Sequence, residues 1–149
     1  MIINNGTAGT TSLEQFHNPS TNINLPKYAF QNTSNYWFSE GGMPQSAWMQ
    51  FPTPHEITKI GFSSIYNSYA PKRFDVIGSS NCTAPWTVLL RINDAAFPND
   101  YGNEFKLWSV PADSQRPFTC LGLKIETTGA MEDYPHVALK NIEMWEKAA

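Results

Sequence analysis

Tyr36, Phe38, Tyr66, Tyr69, Phe97, Tyr101 and Tyr134 are rings set among amides and carboxylates, with Asn67 beside Tyr66 and His136 two residues after Tyr134. Rings in such company suit one kind of chemistry. A sugar presents an apolar C–H face that packs on an aromatic ring, and hydroxyls that pair with amides and carboxylates placed around it. Tyrosine also gives a protein partner contact area at low entropic cost, so recognition of another chain is the alternative use of the same residues. For Tyr66, Tyr69, Tyr101 and Tyr134, ligand contact and simple packing within a loop both remain open. His136 either faces the ligand or is a hydrogen-bonded structural residue.

Nothing in the sequence supports catalysis. It has no nucleophile elbow, no phosphate-binding glycine loop and no His-Glu-x-x-His, and the three histidines, His17, His55 and His136, lack ligand spacing. Glu132 and Asp133 are adjacent carboxylates, and neighbours on an extended loop diverge, so they read as a solvated turn rather than a glycosidase pair. The chain is expected not to be an enzyme.

The elements that must position these residues are strands. Ile60 and Phe62, Phe74 and Val76, Trp86, Val88 and Leu90, Phe105 and Leu107, and Leu121, Leu123 and Ile125 recur at every second position, the period of a strand with one buried face. Pro52, Pro54, Pro71, Pro98, Pro111 and Pro117 punctuate the runs, and proline suits turns rather than sheet interiors. The expected fold is all-β, a single antiparallel β-sandwich. Its 149 residues are enough for one core. Residues 1–26 read as an N-terminal arm and first strand of the same domain, and 27–149 as the sandwich. Trp37, Trp48, Trp86 and Phe74 are expected in the core.

Successive antiparallel connections alternate between the two ends of a sandwich. The connections around 31–46, 64–72, 93–103 and 127–136 therefore share one end, and those at 52–56, 80–85 and 111–117 the other. The first end collects all the rings named above. Cys82 and Cys120 both fall toward the second end, where they either form a disulfide or remain two small, partly buried thiols.

Several partners are excluded by charge. The net charge is −3 and the ten Lys and Arg are scattered, which leaves no basic patch for nucleic acid. Phe38, Met43, Phe97 and Met131 would be the spikes of a membrane-inserting surface, but Glu40, Asp94, Asp100, Glu132 and Asp133 surround them and repel anionic lipid. No run approaches the roughly 18 apolar residues of a membrane helix, and the start MIINNGTAGTTS has no signal-peptide pattern. A soluble module in an extracellular, cell-surface or virion setting fits these features. Sequons begin at Asn5, Asn32 and Asn81, a number that a composition rich in Asn, Ser and Thr produces by chance.

Ala29-Phe30-Gln31-Asn32, Asn35-Tyr36-Trp37, Trp48-Met49-Gln50-Phe51 and Ile57-Thr58-Lys59-Ile60, followed by Lys72 to Ser79, Trp86 to Leu89, Cys120 to Ile125 and Ala138 to Trp145, resemble in order and spacing the discoidin, or coagulation factor type C, family. That family belongs to the galactose-binding-like sandwiches, together with many bacterial carbohydrate-binding modules. The resemblance spans about residues 27–145. It implies a discoidin-like jelly roll and a non-catalytic module binding glycan, or alternatively protein, through the loop end that carries the rings.

The departures from the family pattern matter. Sugar-binding relatives use a His of the first loop and an Arg of the loop before the central strand. Here the first loop has Glu40 and Gln45 but no His, and residues 65–69 contain no Arg, so the resemblance does not carry over a galactose or fucose site. Relatives also hold a structural calcium through backbone carbonyls, a turn Asp and a closing-strand Glu, which by position correspond to Gln31 and Asn141. Both are amides, and calcium affinity depends on ligand charge. No cofactor and no tight calcium site are expected.

Overall fold

The structure is a computed structural model that describes residues 1–11, 26–33, 35–39, 42–64, 69–97, 104–129 and 136–147. The strands are β1 (Ile2–Ile3), β2 (Thr7–Thr10), β3 (Trp37–Phe38), β4 (Gln45–His55), β5 (Ile57–Ser64), β6 (Pro71–Ser79), β7 (Thr87–Ile92), β8 (Glu104–Ser109), β9 (Phe118–Thr128) and β10 (Ala138–Glu146). Short 3-10 turns occupy Pro26–Phe30 and Ala112–Ser114. One sheet runs β1-β10-β5-β8 with β3 added beside β10, and the other runs β2-β4-β9-β6-β7. Every pairing is antiparallel, as in a sandwich whose sheets each keep one solvated face.

The core forms where the two alternating faces meet. From β9 it takes Leu121, Leu123 and Ile125, from β4 Ala47, Met49 and Phe51, and from β6 Phe74 and Val76, all buried. Across from them, Phe62 of β5 is the hub of an aromatic cluster, with ring centroids 5.3 Å from Phe74, 5.4 Å from Phe97 and 5.1 Å from Trp108. Edge and offset ring packing of this kind adds to the burial itself.

The N-terminal residues are part of both sheets. Ile2 and Ile3 pair with Trp145 and Met144, whereas Thr7 to Thr10 pair with Gln50 to Ala47. At the end of β2, the Thr11 N–H donates to the Ser46 carbonyl at 3.0 Å, and the Thr11 hydroxyl donates to Gln45 Oε1 at 2.7 Å. Polar side chains thus fasten the arm beside the ring-bearing end.

Two tryptophans depart from expectation. Trp37 and Phe74 are fully buried, but Trp48 and Trp86 are only half-buried, because they project from the outer face of the second sheet. Ala47 and Met49 take the inward positions on either side of Trp48. The Trp48 indole lies across Gly9 of β2 and tilts against Trp86 at 6.0 Å.

Gly122, the cross-strand partner of Trp48, is a true close approach, since a Cβ there would run into the Ala47 carbonyl and lie 2.6 Å from the Trp48 Cα. Gly122→Ala is therefore expected to cost about 1–3 kcal/mol through overpacking, seen as a lower urea midpoint. An unchanged midpoint would mean that the strands part without cost.

Cys82 and Cys120 form a disulfide, with Cα atoms 5.3 Å apart, joining the β6–β7 connection to the start of β9. It lies at the end opposite the rings, where the alternation argument places both residues. Around it, the Thr119 hydroxyl donates to the Ser80 carbonyl at 2.6 Å, and the Thr83 hydroxyl donates to Asn81 Oδ1 at 2.7 Å.

Candidate functional site

β3 and β10 pair at their beginnings, Phe38 opposite Ala138 and Trp37 opposite Leu139. Just beyond, the Ser39 N–H donates to the Val137 carbonyl at 2.9 Å, and the Val137 N–H donates to the Ser39 hydroxyl at 2.8 Å. Ser39 is fully buried, so these bonds form away from water and hold the two entering segments in one register. Strand alternation then decides the side chains. Trp37 points into the core, and its neighbours Tyr36 and Phe38 are left half-buried on the other side.

Phe38 is the centre of what gathers there. His136 stacks on it, with ring centroids 4.9 Å apart and planes 22° from parallel. Tyr69 meets it edge-on at 5.3 Å, and Tyr36 does so at 6.4 Å. Tyr69 and His136 are themselves 6.2 Å apart and near perpendicular. The His136 Nδ1 lies 2.9 Å from the Ser39 carbonyl, which fixes the imidazole as a donor at that atom and sets its ring plane against Phe38. Four of the expected site residues, from three separate segments, are thus one continuous aromatic surface.

Polar residues neighbour these segments in the chain. Asn35 is half-buried beside Tyr36, and Arg73 is exposed at the start of β6, four residues after Tyr69. Lys72 and Asp94 form an exposed pair at 4.0 Å, which orients little by itself.

Phe97 does not belong to this surface. It is only 7% exposed, stacks on Phe62 and carries the Lys106 ammonium 5.5 Å from its ring centre. The sequence sets it beside Pro98 and Asn99 in a polar stretch, but its ring turns back between the sheets, where an aromatic of that size buries more area than a loop tip would give it. Tyr66, Asn67, Tyr101 and Tyr134, and with them Glu132 and Asp133, lie outside the described residues.

The positions compared with a calcium site do not fit one. Gln31 is exposed, and its carbonyl accepts from the Asn141 N–H at 3.1 Å. Two residues on, the Thr33 carbonyl accepts from the Lys140 ammonium at 2.7 Å. A tethered ammonium already sits on one of the loop's backbone oxygens, that of Thr33, and neither side chain at the compared positions offers a carboxylate. No cluster of three or more His, Cys, Asp or Glu suited to a metal occurs among the described residues.

No local signal marks Lys140: it pairs with Ser63, on the face away from Phe62, and the irregularity at Asn141 (φ 56°) shifts the alternation before Ile142 and Met144 reach the core. Asp75 was also passed over. It is 3% exposed and takes a two-point contact from Arg91, at 2.8 Å to Nε and 3.1 Å to Nη2. The hydrogen bond and charge of Asp75 hold the Arg91 guanidinium even more firmly protonated than usual.

The opposite end carries a different arrangement, an open hollow of about 260 Å³ lined by Glu56, Thr58, Gln115, Glu146 and Lys147. Beside it, His55 Nδ1 lies 2.8 Å from Glu146 Oε2, and the ring edge meets Phe51 at 4.8 Å. These contacts tie the β4–β5 turn to the last strand. No aromatic ring lines the hollow.

No protein-family model and no curated protein matches the sequence. The fold does match solved structures. A carbohydrate-binding module of Clostridium perfringens, CpGH89CBM32-5, in complex with GalNAc-β-1,3-galactose superposes with a TM-score of 0.72 over 95% of both chains at 15% identity. The CBM32 of AlyQ in complex with 4,5-unsaturated mannuronic acid gives 0.72 over 99% of both at 11% identity. Chitosan-binding module 2 from a Paenibacillus sp. IK-5 chitosanase/glucanase, in complex with chitotriose, gives 0.70 over 95% of this chain and 96% of the other at 13% identity. The chain therefore has the same β-sandwich fold as these carbohydrate-binding modules. No helix among the described residues is long and apolar enough to cross a membrane.

Proposed function

We propose that this chain is a non-catalytic glycan-binding module, and that its ligand wall is the surface made by Tyr36, Phe38, Tyr69 and His136. The observation that carries this reading is the convergence of four half-buried rings from three segments onto one end of the sandwich, with Phe38 in contact with the other three. Phe97, by contrast, is drawn inward. Tyr66, Asn67, Tyr101 and Tyr134, which lie outside the described residues, are proposed as further ligand contacts on the ground of their sequence positions alone.

The sugars bound by the similar modules differ widely, an amino-sugar disaccharide, a uronic acid and a chitosan trimer. The fold is thus compatible with many glycans, and the side chains of the wall set the choice. The Cys82–Cys120 bridge supports an oxidising, extracellular setting.

A glycan array run with calcium and again with chelator tests the proposal, with the same sugar class expected in both. Tyr69→Ala is expected to weaken binding at least about tenfold, the range of a central aromatic contact, with little change in melting temperature. If Tyr69→Ala and Phe38→Ala both bind as the parent does, the site assignment is wrong. A silent array moves the same surface to a protein partner, whose footprint would cover about 800 Å².

A further inference from the structure

Lys140 pairs with Ser63 of β5, on the face away from Phe62, and is nonetheless only 8% exposed. A buried ammonium is costly to desolvate unless dipoles or counter-charges answer it. Among the described residues no carboxylate pairs with it. Its ammonium donates to the Thr33 carbonyl at 2.7 Å. The next residue, Asn141, takes a left-handed backbone conformation (φ 56°) and aims its N–H at the Gln31 carbonyl, 3.1 Å away. Asparagine tolerates that conformation better than most residues. The turn is closed from its other side by the Asn35 N–H, which donates to the Thr33 hydroxyl at 3.1 Å. Two carbonyls of the first loop thus converge on two successive residues of the closing strand, and one of the two donors is a full positive charge.

We infer that Lys140 is the resident cation of this loop: its tethered ammonium, with the Asn141 N–H, does the ordering work that a bound divalent ion would otherwise do. Three consequences follow from the chemistry. The cation is covalently attached, so its local concentration is fixed and no chelator removes it. A divalent ion brought to the same oxygens would meet ammonium repulsion at short range. The segment leading directly into Tyr36 and Phe38 is then ordered without metal. This inference concerns the stability of the loop and does not depend on the ligand being a glycan.

Thermal melts of the parent and of Lys140→Met, each in millimolar calcium and in chelator and without sugar, test it. Methionine keeps an unbranched apolar stem and removes the charge. The parent is expected to melt at the same temperature in both solutions. Lys140→Met should melt about 4–9 °C lower, the shift for losing a charged hydrogen bond in a domain of this size, and should be cut faster by protease within residues 26–39. A parent that calcium stabilises would overturn the inference, and so would a Lys140→Met variant with the parent's melting temperature and protease resistance. If Lys140→Met does not fold, calorimetric titration of the parent with calcium decides, since heat of specific binding there would overturn the inference and its absence would support it.

Discussion

Replacing both Cys82 and Cys120 with alanine is expected to lower the melting temperature by roughly 12 °C. The bridge closes a loop with a sequence separation of 38, and the entropy removed from the unfolded chain by a loop of that size is worth about 4 kcal/mol. The same loss should follow reduction of the unmodified protein. Because the bridge ties the β6–β7 turn to β9 at the end away from the rings, glycan affinity of the folded protein at low temperature is expected to be unchanged. Melts with and without reductant check the first part, and titration of the reduced protein checks the second. A reduced protein as stable as the oxidised one would show that the bridge stabilises nothing. In a reducing compartment the full loss applies, which links the redox setting of the module to whether it survives there.

Phe97→Ala is expected to cost about 3–5 kcal/mol, the range for deleting a buried phenyl ring and leaving its cavity. Phe97 stacks on Phe62 at 5.4 Å and touches Trp108 at 6.4 Å, and removing it opens the cluster that joins the two sheets. Urea denaturation measures this directly. The contrast with Tyr69→Ala is diagnostic, because Tyr69 is half-buried on the outward surface and its loss should weaken binding with little effect on the urea midpoint. A Phe97→Ala variant with the parent's midpoint and no sugar binding would return Phe97 to the wall.

The architecture was legible because its signals are local. Alternation at every second residue marks β5 to β9, but it does not fix which face is buried in β7 and β8, where Val88, Phe105 and Leu107 are exposed, and Pro52 and Pro54 lie inside β4 rather than ending it. The same alternation separates Trp37, which is buried, from Tyr36 and Phe38 on either side. It also places Trp48 correctly once Ala47 and Met49 are seen to own the inward positions, since the large size of an indole does not by itself put it in the core. Phe97 was illegible for a different reason. It follows the last residues of β7 outside any alternating run, and only the neighbouring sheet shows which way its ring turns.

The sequence by itself determined that this protein is an antiparallel β-sandwich with the connections bearing Tyr36, Phe38, Tyr69 and His136 at one end and its cysteines at the other, because strand period and reversal are properties of the chain. The tertiary structure decided which of those rings touch. It joined Phe38 to His136 through the buried Ser39 bonds, 97 positions apart at the His136 contact, and closed Cys82 onto Cys120. It also set the Lys140 ammonium on the Thr33 carbonyl, 107 positions away. Contacts over such separations depend on sheet register and on how strand ends are capped, and no local pattern of residue types encodes either.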